Sequence, residues 1–120
     1  MMIKEYRDPL YGFITLDELE QRIVDTSFFQ RLRYIMQLGT TYLVYPSATH
    51  TRFEHSLGVL QASSFLFDHL AGNPENLEIL KWKMTDTKKH RKLLRLASLL
   101  HDIGHGPFSH TLPKIYFRMI

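Results

Sequence analysis

Residues 87–110 read TKKHRKLLRLASLLHDIGHGPFSH. Over 87–103 the apolar residues recur at helical spacing, so a long helix is expected, capped by Asp86 or Thr87 and ended by Gly104. Leu93, Ala97 and Leu100 mark its expected inner face. His101 follows Leu94 and Ala97 at the same spacing, on or near that face, and Asp102 comes directly after it. An imidazole and a carboxylate at an apolar helix end are costly to bury unless something satisfies both. A divalent cation does so: imidazole suits Mn, Fe, Ni or Zn, and carboxylate oxygen also accepts harder ions such as Mg. An ordinary hydrogen-bonded pair at a helix end is the alternative.

A second long helix is expected from about Thr51 to Ala71, closed by Gly72, with Phe53, Leu57, Leu60 and Phe67 as its apolar stripe. His55 shares a neighbouring stripe with Val59, Ala62 and Leu66, which points it inward or into a cleft. It precedes His101 by 46 residues, a connection long enough to return an antiparallel helix and bring the two histidines together across a bundle. His101, His105 and His110 then fall within ten residues that also hold two glycines and a proline, so the backbone turns tightly there. Histidines on such a turn can contact phosphate oxygens or exchange protons near neutral pH.

The remaining elements are shorter. DPLYGFITL (8–16) opens with turn chemistry and continues as an extended piece. Asp17 and Glu20 form a capping-box pattern ahead of a helix through Val24. Asp25 or Thr26 caps a further helix, SFFQRLRYIMQL (27–38), with Gly39 at its C-terminal cap. TTYLVYP (40–46) is β-branched and aromatic, a short strand or extended loop stopped by Pro46. GNPEN (72–76) is expected as a turn, and LEILKWKM (77–84) as a short helix or irregular piece. The architecture expected is a mostly helical bundle with little strand.

Totals bound the function. A chain of 120 residues with 44% hydrophobic residues suits one modest globular domain. Without cysteine it has no disulfide, and any metal must use His and carboxylate ligands. There is no apolar run approaching the roughly 18 residues of a membrane span and no secretory signal, so a cytoplasmic location is expected. The net charge of +3, from 15 Lys+Arg against 12 Asp+Glu, mildly favours polyanionic ligands. KKHRK (88–92) reads as a solvated helix face, and with no aromatic residues interleaved, nucleic acid is not the expected partner.

TRFEHSLGV (51–59) followed by LLHDIGHGPFSH (99–110) resembles the HD-domain metal-dependent phosphohydrolases, in particular the branch containing the SAM and HD domain deoxynucleoside triphosphate triphosphohydrolase. DPLYGFITL, RIVDTSFFQRLRYIMQLG and VYPSATHTRFEH extend the resemblance over roughly residues 8–110. It implies an all-α HD-domain helical bundle holding a divalent metal through His55, His101 and Asp102. Arg52 matches a residue near the metal and the substrate phosphates, a task suited to a guanidinium fork. His105 and His110 match histidines beside the α- and β-phosphates. Gln37 and Leu38 match positions lining the sugar and base pocket. The reaction implied is attack of a metal-activated water on the α-phosphorus of a deoxynucleoside triphosphate, releasing deoxynucleoside and triphosphate. Asp25, Gln30 and Arg33 match residues that grip an activating guanine nucleotide at a subunit interface, which implies a homo-oligomer.

The family's fourth ligand, an Asp, lies far downstream of the doublet, and residues 103–120 contain neither Asp nor Glu. The expectation is therefore a single HD domain over 1–120, truncated before that ligand. Two other readings compete: an HD phosphodiesterase with another nucleotide substrate, and a non-catalytic nucleotide-binding or interaction module.

Overall fold

The computed structural model describes residues 4–106. It opens with an antiparallel hairpin of β1 (Glu5–Asp8) and β2 (Gly12–Thr15), in register from Glu5 opposite Thr15 to Asp8 opposite Gly12. Asp8 makes the turn, because its Oδ1 accepts from the backbone N–H of Leu10 and of Tyr11 at 2.8 and 3.0 Å. Gly12, at φ 77°, closes the turn in the left-handed region that favours glycine. Helix α1 (Glu18–Val24) carries the capping box expected from Asp17 and Glu20.

The next stretch departs from the expected helix over 27–38. Thr26 caps a single turn, α2 (Ser27–Gln30), which tightens into a 3₁₀ turn over Arg31–Tyr34 and stops. Ile35 is extended, its carbonyl accepts from Arg52 N–H at 2.8 Å, and Gln37 N–H donates to His50 at 3.0 Å. Backbone pairing with the approach to the next long helix thus outcompetes helical propensity over 35–37. Gly39 (φ 59°) begins a 3₁₀ segment, Gly39–Leu43, instead of capping a helix. The strand alternative for 40–46 fails because the Thr41 carbonyl is taken locally, by Val44 and Tyr45 N–H.

Helix α3 (Arg52–Ala71) runs between a Thr51–Glu54 capping box and Gly72, close to expectation. Asn73 caps α4 (Pro74–Leu80), so the PEN of the expected turn is its first turn, with Pro at the start where its missing N–H costs nothing. Helix α5 spans Met84–Leu100 and starts before the expected caps; Asp86 lies within its first turn, accepting from Lys83 N–H at 3.3 Å.

Helices α3 and α5 pack antiparallel. Asp68 takes a two-bonded fork from Arg91 at 2.7 and 2.9 Å, Ser64 accepts from Arg95 at 2.8 Å, Ser63 and Ser98 hydroxyls meet at 2.8 Å, and His55 faces His101. Small serines let the two backbones approach. The inner face of α5 is Arg95, Ser98 and Leu99, not the expected Leu93, Ala97 and Leu100, which are exposed. The inward face of α5 is thus largely polar, with Leu99 as its buried hydrophobic residue, and it brings Arg95 to its partners. On α3, Phe53, Leu57 and Leu60 are buried as expected, while Phe67 is half-buried and stacks on Trp82. Phe53 sits at the centre, edge-on to Tyr6 and Phe29.

One buried ion pair ties the hairpin and α1 to the helix pair. Glu20 is 0% exposed; Oε1 accepts from Arg95 Nε at 2.7 Å, and Oε2 from Arg95 Nη2 at 2.8 Å and from Asp17 N–H at 2.9 Å. Arg95 Nη2 also donates to the Thr15 carbonyl. Arg95→Ala leaves the buried Glu20 carboxylate without its counter-ion and is expected to cost about 3–5 kcal/mol, measured by urea unfolding. An Arg95→Ala protein as stable as the parent would show that the pair contributes nothing.

Candidate metal centre

The capped start of α3 and the C-terminal end of α5 converge on one spot. His55 Nε2 lies 3.1 Å from His101 Nε2, and each nitrogen is 3.4 Å from Asp102 Oδ2. His101 Nδ1 is 2.6 Å from the Ser98 carbonyl, which can only accept, so Nδ1 carries the proton and neutral His101 presents a bare Nε2. An ion with ligand bonds of about 2.0–2.2 Å separates neighbouring ligand atoms by about 2.9–3.5 Å. The three separations fall in that range, so the donor set fits a divalent cation. The backbone acceptor at Ser98 is the outer-shell contact that orients a metal-binding imidazole.

Asp102 is 8% exposed and has a second partner. Arg52, 2% exposed, donates from Nη1 to Asp102 Oδ2 at 2.9 Å and from Nη2 to the Gln37 carbonyl at 3.4 Å. His105 follows one turn later, its Nε2 3.5 Å from Asp102 Oδ1. Burial pushes the His55 pKa below its ordinary 6.5; Asp102 opposes this, while His101, Arg52 and His50 add to it. The lowering favours neutral imidazole, the form that binds metals.

The residues singled out in the sequence gather unevenly. His55, His101, Asp102, Arg52 and His105 form one cluster, with Gln37 joined to it through Arg52. Leu38, next in the chain, is 44% exposed. His110 lies outside the described residues. His55 also borders an open cleft shared with the hairpin turn, Val59 and Ala62, so its stripe faces a cleft and not the core. Asp25, Gln30 and Arg33 share a separate surface. Gln30 donates to the Val24 carbonyl beside Asp25 and accepts from Arg33 Nε at 2.7 Å, while Asp25 pairs with Lys4 and the Arg33 guanidinium lies over Phe53.

Arg31 carries no distinguishing signal in its local sequence. Its Nη1 donates to the His105 carbonyl at 2.9 Å and its Nη2 to the Ile103 carbonyl, so one guanidinium holds the turn that follows the doublet. The partners lie 72 and 74 residues away, beyond any local pattern.

A family model, HD domain, matches residues 52–119. Deoxynucleoside triphosphate triphosphohydrolase SAMHD1 of Gallus gallus is 46% identical over 91% of this chain and 17% of its own length. The uncharacterized protein MJ1154 of Methanocaldococcus jannaschii is 47% identical over 92% of this chain and 21% of its own. The crystal structure of a hypothetical protein from Aquifex aeolicus superposes with a TM-score of 0.73 at 49% identity, covering 98% of this chain and 27% of that one. The chain thus spans about a fifth of the length of these curated relatives.

Two outcomes are expected. Arg31→Ala costs about 1–3 kcal/mol and speeds amide exchange at residues 103–106; Arg31→Lys, which keeps charge but loses the fork, restores only part. In the metal-free chain the His55 imidazole titrates below pH 6.5 by NMR. The unfolded chain then takes up that proton first, so this group's contribution to stability is present above pH 6.5 and is lost as pH falls below it. A midpoint at or above 6.5 would contradict the burial argument.

Proposed function

The chain belongs to the HD-domain family, and from that premise we propose that it carries the metal-binding part of a phosphohydrolase acting on deoxynucleoside triphosphates. The observation that carries the proposal is the convergence of His55 Nε2, His101 Nε2 and Asp102 Oδ2 beside the buried Arg52. The name of the related enzyme, deoxynucleoside triphosphate triphosphohydrolase, supports the substrate and the product, triphosphate. A bound divalent ion would polarise a phosphoryl oxygen and lower the pKa of a coordinated water.

The chain's own residues have separable tasks. His55, His101 and Asp102 hold the ion; Ser98 fixes the His101 tautomer. Arg52 balances the Asp102 charge and keeps that carboxylate turned toward the histidines. His105, on the turn held by Arg31, orients a phosphate or moves a proton at Nε2, and His110 shares that role. Gln37 and Leu38 line the sugar and base pocket. A guanine nucleotide effector would use Asp25, Gln30 and Arg33, whose amide, carboxylate and guanidinium match the donor and acceptor edges of guanine, in a homo-oligomer. No helix among the described residues is long and apolar enough to cross a membrane, and a cytoplasmic site of action is part of the proposal.

The test combines elemental analysis of the purified chain with triphosphate release from mixed deoxynucleoside triphosphates in Mn or Mg. Bound metal and released triphosphate are expected, both abolished by His101→Ala, whose effect on metal affinity should exceed the roughly 10–100-fold typical of losing an outer-shell partner. Release of pyrophosphate or monophosphate instead would move the reading to another HD phosphodiesterase. Nucleotide binding without turnover, surviving His101→Ala, would make the chain a binding module.

A further inference from the structure

Away from the candidate metal centre, a cleft of about 460 Å³ opens between the hairpin, α3 and the middle of α5. Helix α5 contributes Lys88, Arg91, Lys92 and Arg95, four cations at helical spacing on one wall. The opposite wall includes Phe13, 62% exposed, with Thr15 and Asp17. In sequence KKHRK has no aromatic neighbour; folding brings one across to it from 75 residues away, between Phe13 and Lys88.

The charges around the cleft are not all committed. Arg95 is consumed by Glu20, Ser64 and Thr15, and Arg91 gives Nε and Nη2 to Asp68, leaving Nη1 outside that fork. Asp17 accepts from Glu20 N–H at the start of α1. Lys88 and Lys92 have no carboxylate partner among the described residues, and both are exposed. Two unpaired ammonium groups beside a guanidinium suit phosphate oxygens. An exposed ring suits the face of a base. The cleft is the size of a small-molecule site and holds one aromatic, whereas strand binders present a succession of stacking rings along a groove.

We propose that this cleft binds a free nucleoside polyphosphate, with its phosphates at Lys88, Lys92 and Arg91 and its base against Phe13. The site is separate from the metal centre: Lys92 and Lys88 precede Asp102 by 10 and 14 residues on the same helical run, roughly 15–21 Å along the axis. It is also separate from the surface carrying Asp25, Gln30 and Arg33. The proposal does not rest on the phosphohydrolase reading.

The test is calorimetric titration of the full chain with ATP and, separately, inorganic tripolyphosphate, in EDTA so that no metal takes part. Both probes are expected to bind. Lys88→Glu with Lys92→Glu should weaken both by roughly tenfold or more, and Lys88→Gln with Lys92→Gln should do so in the same direction without charge reversal. Phe13→Ala should weaken ATP and leave tripolyphosphate unchanged, and His101→Ala should leave both unchanged. Failure of the parent chain to bind, affinity indifferent to the lysines, or binding lost with His101→Ala would each overturn the proposal. ATP affinity unchanged in Phe13→Ala would overturn the placement of the base. An oligo-dT that binds through the lysines where ATP does not would make the cleft a strand site and overturn it as well.

Discussion

Asp102 is the group on which the rest of the molecule converges. Its Oδ2 faces two imidazole nitrogens and a guanidinium at once, and its Oδ1 faces a third imidazole. A carboxylate in so closed a place is tolerable only with full electrostatic compensation. Arg52 supplies part of it from the first turn of α3. His55 comes from that same turn, so the contact that neutralises Asp102 also delivers a second imidazole to it. The antiparallel pairing of α3 with α5 therefore also gathers the three side chains that could hold a metal ion.

A second buried charge pair holds the frame from the other side. Glu20 and Arg95 link the hairpin carbonyl at Thr15, the cap of α1 and the serine at position 64 of α3. Rotating α5 to bury Leu93 and Ala97 would withdraw Arg95 from this network and strand Glu20. Leaving one member of such a pair buried without the other is costly, which disfavours arrangements that separate them. Here the selected arrangement is the one that points His101 and Asp102 at α3.

The turn after the doublet is tied down by a side chain from far away in the chain. Residues 101–106 leave the helix through open carbonyls, and Arg31, from a 3₁₀ turn early in the chain, closes two of them. The interruption of the expected helix over 27–38 matters for the same reason. Its tightening at Arg31 and the extended backbone at Ile35 let one segment serve both the turn after α5 and the start of α3. Continued α-helix through Leu38 would forgo the Ile35–Arg52 and Gln37–His50 backbone bonds.

Much of this was legible residue by residue. Local signals carry local consequences: the Asp17–Glu20 capping box, the Gly72 stop and the course of α3 follow from side chains bonding within three or four positions, and the His–Asp doublet with His55 points to a candidate metal site. The family resemblance added the roles, though not the contacts. Tertiary packing sets which face of α5 turns inward, where the second helix breaks, that 40–43 are 3₁₀ and 44–46 a turn instead of strand, that Arg31 holds the turn, and that Phe13 faces the lysines of α5. Each of these depends on a partner beyond the reach of local sequence pattern, from 13 to 75 residues away, or, for 40–46, on no strand partner being at hand among the described residues. Local spacing records which faces a helix possesses, whereas the choice among them is made by the buried charges that must find one another when the chain closes.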